Sequence, residues 1–277
     1  MDIITVNVGQ GSLAIVRHGG EAIIADSRIP PSGDSRVAYA KGMLATYLKG
    51  HYVRGLILTG FDRDHADATG VGLILTKYLP DWIMYPKCYK DTEEAGDVFQ
   101  IVRQQKQRRA GTAHPLQNIS VCLDNLQSRL LSVLAPTFEF ELFSPHTEDM
   151  DNSNNSGIVV RMQGKGPGGF SYLITGDTEN ERWETINRFF GKALRSDVMA
   201  GPHHGSRGAV NAETLLLVEP NTVLISAGVD NPYGHPDSQA IAAFSKVAKH
   251  VYSTNVNGGV SLHTTIGTGD FETALIQ

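Results

Sequence analysis

Three aspartates and a histidine fall within six positions in Asp62-Arg63-Asp64-His65-Ala66-Asp67, directly after the apolar run Gly55-Leu56-Ile57-Leu58. Carboxylate and imidazole together suit a borderline divalent cation such as zinc or manganese, and a site with an open position activates water for attack on an ester or phosphodiester. Four further segments carry groups of the same kind: Asn152-Ser153-Asn154-Asn155-Ser156, Thr175-Gly176-Asp177, Gly201-Pro202-His203-His204-Gly205-Ser206, and Tyr233-Gly234-His235-Pro236. Metal-assisted hydrolysis is the chemistry these residues suggest. Each segment also has a plainer reading. Asp62 or Asp64 could cap a following helix, where an acid satisfies free amides and the dipole. His203-His204 could be a surface pair, although Pro202 and Gly205-Ser206 fix a tight loop. His235 could belong to a turn, and Asn152 to Ser156 could be a loop of local side-chain hydrogen bonds.

The elements that must position these groups follow from hydrophobic periodicity. Ile3–Val8, Ser12–Arg17 and Ala22–Asp26 are β-rich runs separated by glycine turns, the pattern of an antiparallel meander. A helix is expected over Ser35–Leu48, a buried strand over Val53–Thr59, a helix over Ala66–Tyr78 and a strand at Trp82–Tyr85. Two more helices are expected over Asp91–Arg109 and Ile119–Val133, making 86–135 a helical insertion. Strands then follow near Phe138–Phe143, Gly157–Met162 and Phe170–Thr175, a helix near Glu179–Phe190 and a strand at Asp197–Ala200. A helix over 211–218, a strand at Thr222–Ala227, a helix at Ser238–Ala248 and two or three terminal strands complete the chain.

Gly164-Lys165-Gly166-Pro167-Gly168-Gly169 suits a hairpin loop better than a domain boundary, so 1–277 is read as one domain. There is an internal echo: Leu56-Ile57-Leu58-Thr59-Gly60 precedes Asp62, and Leu173-Ile174-Thr175-Gly176 precedes Asp177. Both halves deliver a carboxylate just past a buried strand, where open sheets place their ligands, so the two loops could share a site.

With 277 residues, 41% of them hydrophobic and 19% charged, the chain can bury a substantial core without staples. No apolar stretch approaches the roughly 20 residues of a membrane span, and no basic region precedes an apolar signal core, so a cytoplasmic protein with no membrane partner is expected. Cys88 and Cys122 lack CxxC spacing and are expected to be buried small hydrophobes. The net charge of −5 argues against a broadly basic surface for nucleic acid but permits a local cationic groove. Arg103-Gln104-Gln105-Lys106-Gln107-Arg108-Arg109 is the candidate for one, or else a solvated helix face.

Taken in order, these segments resemble the metallo-β-lactamase fold superfamily, and within it the hydrolase domain of the competence protein ComEC and its stand-alone relatives. Asn7-Val8-Gly9-Gln10-Gly11-Ser12 resembles "DVGQGDS", Ile23-Ile24-Ala25-Asp26-Ser27 resembles "LIDTG", and residues 58–67 resemble "SHxHxDHxGG". Asn154-Asn155-Ser156 resembles "NNNS", Leu173 to Asp177 "LLTGD", Pro202 to Ser206 "HHGS", and Tyr233 to Pro236 "YGHP".

The resemblance implies an α/β (α+β) fold, a four-layer αββα sandwich with a metal site at one sheet edge. It implies one metal held by Asp64, His65, Asp177 and one of His203 or His204. The other metal of the family uses two histidines, where this chain has Gly60 and Asp62, plus a third ligand near Asn155. Zn2+ or Mn2+ is expected, as one or two ions. Asp62 could still hold or bridge an ion, or act as general base on water. Asp67 could substitute as a ligand or hold His65, and Asp26 is expected near the site. His235 could donate to a developing oxyanion or leaving oxygen, while Asn154, Asn155 and Ser206 could contact phosphate.

The implied activity is a metal-dependent phosphodiesterase or nuclease acting on nucleic acid or a nucleotide. Gly60 motivates a different expectation, a non-catalytic binding or regulatory module. A third is hydrolysis of another bond, such as a thioester, lactone or peptide.

Overall fold

The computed structural model describes residues 1–125, 131–149 and 152–277. The meander expected at the start is present: β1 (Asp2–Thr5), β2 (Ala14–His18) and β3 (Glu21–Ala25) pair antiparallel in sequence. The chain then changes to parallel pairing, with β4 (Tyr52–Ile57), β5 (Trp82–Pro86) and β6 (Gln117–Val121) added beside β3 through helical crossovers. The last two strands, β13 (Ser261–Ile266) and β14 (Phe271–Ile276), return to β1, giving the order β14-β13-β1-β2-β3-β4-β5-β6.

A second sheet, in the order β12-β11-β10-β9-β8-β7, is built from β7 (Phe138–Ser144), β8 (Val159–Gly164), β9 (Ser171–Ile174), β10 (Val198–Ala200), β11 (Thr222–Ile225) and β12 (His250–Ser253). Gly164–Gly169 closes the antiparallel hairpin of β8 and β9.

Strand alternation sorts side chains into layers. Ile3, Val16, Ile23, Ile57 and Met84 meet Val160, Met162, Tyr172, Ile174 and Leu224 in a core between the two sheets. Their neighbours Ile4, Ile15, Ile24, Leu56 and Ile83 face outward, under Leu44 of α1 (Arg36–Tyr47), Ile74 of α2 (Ala68–Lys77) and Val98 of α3 (Glu93–Arg109). On the far side Val159, Leu173, Met199 and Val223 lie under Trp183 of α4 (Asn180–Phe190), Leu215 of α5 (Ala212–Val218) and Phe244 of α6 (Ser238–Val247). The result is the four-layer αββα sandwich.

One expected element is wrong in type. The helix expected over 119–133 is, at its start, strand β6 followed by a 3-10 turn, Leu123–Asn125. Ile119 and Val121 enter the inter-sheet core while Ser120 faces out, a period of two. Residues 126–130 of that expected helix lie outside the described residues. The stretch 86–135 therefore holds α3 in the outer layer and β6 as a strand that extends the first sheet. Among the described residues no helix is long and apolar enough to cross a membrane.

Candidate metal centre

The candidate groups stand beyond the carboxyl ends of parallel strands from both sheets. Asp26 follows β3, residues 59–67 follow β4, Asp177 follows β9, His203 and His204 follow β10, and Ser226 follows β11. Backbone bonds clamp the 59–67 loop. Ser12 N donates to Asp64 O at 2.8 Å, and Ser27 N donates to His65 O at 2.8 Å. Gly11 makes the first of these possible: its φ is +134°, and a Cβ there would stand 2.6 Å from Asp64 O. Gly70, in the first turn of α2, lies so close to Ser27 that a Cβ would overlap the carbonyl oxygen. A side chain at that position would displace α2 from the loop it follows.

His65 Nε2, His204 Nε2 and one carboxylate oxygen each from Asp64 and Asp177 lie within 4.8 Å of one another. Ligand bonds of about 2.0–2.2 Å place the donors of a tetrahedral site about 3.3–3.6 Å apart, close to the 3.3 and 3.7 Å that separate His204 Nε2 from Asp64 Oδ2 and Asp177 Oδ1. His65 Nε2 stands 2.8 Å from Asp177 Oδ1, an ion-pair contact in which neither atom makes a well-formed hydrogen bond. His204 Nε2, 3.3 Å from Asp64 Oδ2 and 3.7 Å from Asp177 Oδ1, is likewise without one. Buried donors and acceptors left unbonded are costly. Two carboxylates packed this closely against two imidazoles call for positive charge among them, as protons on the imidazoles or as a cation.

The outer nitrogens are fixed. His65 Nδ1 lies 2.8 Å from Asp26 Oδ2 and 2.9 Å from Thr59 Oγ1. Asp26, itself buried, also accepts from Thr59 N at 2.7 Å. His204 Nδ1 donates to Ser226 O at 2.7 Å. Both imidazoles thereby turn Nε2 inward, the arrangement that orients metal-binding histidines.

Electrostatics follow from this crowding. Burial would lower the His65 pKa, but the Asp177 and Asp26 carboxylates outweigh it and hold it well above its ordinary value. Burial would likewise lower that of His204, and Asp177 and Asp64 raise it. For Asp177 the signs reverse: burial opposes ionisation, and the facing imidazoles of His65 and His204 keep it far below the carboxylate range. Two carboxylates at the rim of two buried imidazoles make a site prepared for positive charge.

The other expected residues stand around this cluster. His203 is partly exposed, with Nε2 3.7 Å from Asp177 Oδ2 and Nδ1 3.5 Å from Glu179 Oε1, so it forms a wall beside the four donors. His235 faces His203 with ring centroids 5.6 Å apart and stacks on Tyr233. Its pKa is lowered by partial burial and by the nearby imidazoles of His203 and His204. Asp62 hydrogen-bonds Ser153, and burial, aided by the Asp64 charge, raises its pKa.

Asp67 departs from expectation. Its side chain caps α2 by accepting from Gly70 N at 3.1 Å and pairs with Arg28 at 3.2 Å. The residue holding His65 is Asp26. Asn154 donates to Glu179 Oε1, and Asn155 accepts from Glu179 N, so both amides organise Glu179. Ser206 Oγ accepts from Gly208 N in the turn that follows. Sequence reasoning missed Glu179 and the Ser226 carbonyl. Glu179 carried a usable signal, two positions after Asp177; a backbone carbonyl carries none.

Of the residues expected at a second metal, Gly60 carries no side-chain donor, Asp62 lies beside Ser153, and Asn155 Oδ1 accepts from Glu179 N. Among the described residues the four-donor cluster is the one such group of His, Cys, Asp or Glu.

This architecture and the place of its site define a class: the chain has the metallo-β-lactamase fold. A solved structure of that shape is Igni18, described as a novel metallo hydrolase from the archaeon Ignicoccus hospitalis. The two chains cover each other fully, at 16% identity and a TM-score of 0.53. By sequence the chain is similar to ComE operon protein 3 of Bacillus subtilis, 29% identical over 74% of this chain and 24% of that protein. It is also similar to Recombination protein 2 of Haemophilus influenzae, 27% identical over 94% of this chain and 28% of that protein. The chain thus spans about a quarter of the length of the curated relatives it matches. No family model matches it.

Proposed function

We propose that the chain is a divalent-metal-dependent hydrolase of phosphodiester bonds in nucleic acid or a nucleotide, working as one domain over 1–277. The observation that carries this reading is the convergence of four donor atoms, three of them buried and without a well-formed hydrogen bond. A set of two nitrogens and two oxygens suits zinc or manganese. Asp64, His65, Asp177 and His204 hold the ion, with Asp26 and the Ser226 carbonyl orienting the two imidazoles. Bound there, a divalent cation supplies Lewis acidity and brings the pKa of water toward about 7.

The remaining roles belong to the chain's own groups. Asp62, held by Ser153 and less acidic than an exposed aspartate, accepts a proton from the attacking water. His235, on the partly exposed side of His203, hydrogen-bonds the leaving oxygen through its N–H. Preference for a nucleic-acid diester draws on two things: the name of one similar protein, Recombination protein 2, and helix α3. There Arg103, Lys106 and Arg108 are exposed, whereas Arg109 is buried and donates to the carbonyls of His114 and Pro80. Three of the four cations are therefore exposed, but only Arg103 and Lys106 share a side of α3, since Arg108 lies roughly 160° around the helix from Lys106.

A second reading, a non-catalytic binding module, is favoured by Gly60 and by the engagement of Asp62 and Asn155 with protein partners. A panel of bis(p-nitrophenyl) phosphate, a phosphomonoester, a thioester, a lactone and single- and double-stranded DNA, each with zinc and with manganese, separates the readings. Diester cleavage that disappears in D177A and H65A is expected. Preference for a thioester or lactone moves the chemistry to another bond, and inactivity of the metal-loaded wild type on every substrate favours the binding module.

A further inference from the structure

Cys88 and Cys122 are 34 positions apart, and the metal centre uses neither. The pairing of β5 with β6 explains how they meet. Pro86 stands opposite Val121 in parallel register, and Lys87 N donates to Val121 O at 2.8 Å, so Cys122 follows its strand directly and Cys88 one residue further on. Their sulfurs are 3.0 Å apart. Each residue is only 2% exposed. Asp124 Oδ2 lies 3.6 Å from Cys122 Sγ, and among the described residues no third donor joins the thiols closely enough to make a metal site.

We propose that Cys88 and Cys122 form a reversible disulfide, a modification site that clips the carboxyl ends of β5 and β6 at the same sheet edge as the metal centre. A disulfide is about 2.05 Å long, so the sulfurs need to approach by about 1 Å, within the reach of two short loops. The oxidant is a small peroxide, as burial of both thiols requires. One thiolate attacks a peroxide oxygen, the O–O bond breaks, and a sulfenic acid and one water result. The second sulfur then displaces the sulfenic oxygen as a second water and the S–S bond forms. Two thiols have lost two electrons and two protons to one hydrogen peroxide. The Cys88 thiol is pushed up to about 12 by burial and by its Cys122 and Asp124 neighbours, so the reaction is slow compared with that of an exposed thiol.

The clip has a path to the metal-binding loop. Tyr89 is next to Cys88, and its ring lies 4.7 Å from that of Phe61, the residue between Gly60 and Asp62. Phe61 also meets Phe99 at 5.0 Å and Tyr85 at 6.0 Å, so these rings form one aromatic cluster. Restraining Cys88 restrains the packing on which that loop rests.

The test uses the full wild-type chain, incubated with hydrogen peroxide, unfolded, alkylated and mapped by mass spectrometry without reductant. The proposal predicts a peptide pair joined through Cys88 and Cys122, lighter by two hydrogens than the reduced pair, restored to two alkylatable thiols by dithiothreitol. It also predicts a higher Tm for the oxidised chain and slower amide exchange at 59–66. Two alkylatable thiols after treatment, or separate sulfinic acids with no joined peptide, would overturn it. Because the readout is covalent, the outcome does not depend on whether the metal centre is catalytic.

Discussion

His65 can present Nε2 to the cluster because Asp26 occupies its other nitrogen. Asp26 sits at φ +59°, a conformation that asparagine also tolerates, and an asparagine in its place would keep the bond from Thr59 N while losing an acceptor for His65. D26N is therefore expected to keep its fold and lower metal affinity roughly 10- to 100-fold, measured by competition with a chromophoric chelator. Asp67 should behave in the opposite way. Removing the cap and the partner of Arg28 in D67A should cost about 2–4 kcal/mol and lower the Tm by roughly 5–10 °C, with metal content unchanged. A loss of metal in D67A would return it to the ligand set. Asp64, His65 and Asp177 were singled out through the family resemblance, and the fold does bring them together; residue type alone left a helix cap as good a reading of Asp64. The role of Asp67 was not legible, since a cap and a ligand are the same residue type in the same place. Asp26 lies 39 positions from His65 and was expected only in the neighbourhood of the site.

Among elements, the loop after β4 decides how many ions are held. Gly60 does not owe its identity to crowding or to a left-handed backbone, as a Cβ there meets nothing within 4 Å. G60H is thus expected to fold with stability within about 1 kcal/mol of wild type. Its metal content should stay at one ion, because Asp62 and Asn155 remain engaged; a second ion in G60H would show that the histidine alone was lacking. A different contact ties the layers together. Glu21 on β3 accepts from Arg54 Nε at 2.5 Å and from Thr137 Oγ1 at 2.6 Å, just ahead of β7 in the other sheet.

Burial would raise the Glu21 pKa, but the Thr137 and Arg54 hydrogen bonds outweigh it and lower the pKa. A lowered folded pKa means stability that is present above the unfolded value, about 4.3, and lost as pH falls through the folded value. Replacing Glu21 in E21Q should cost about 2 kcal/mol at pH 7, and the gap to wild type in urea melts should narrow below about pH 4. A gap that widens in acid would contradict this sign. Most element types were legible from periodicity, including the meander and the hairpin at 164–169. Strand β6 was not, since Ile119-Ser120-Val121 is too short to separate a period of two from the helix expected around it. That one misreading also hid the cysteine pair, which exists because β6 lies beside β5.

At the scale of the molecule, two sheets share one core, and each contributes loops to one edge. The first sheet brings Asp26, Asp64 and His65; the second brings Asp177, His204 and the Ser226 carbonyl. The repeated Thr-Gly-x-Asp and Thr-Gly-Asp pattern was a sequence trace of this meeting, though a turn explains either copy alone. What the sequence could not convey was orientation: which nitrogen of each histidine turns inward depends on contacts between loops far apart in the chain. The fold does not by itself fix a reaction, so the account depends on the site holding an ion. The direct measurement is metal content by elemental analysis after reconstitution with zinc or manganese and removal of excess, for wild type, D177A and H204A. The account predicts one divalent ion per wild-type chain and loss of that ion in both variants. A wild type that retains none, or variants that retain as much as wild type, would contradict it.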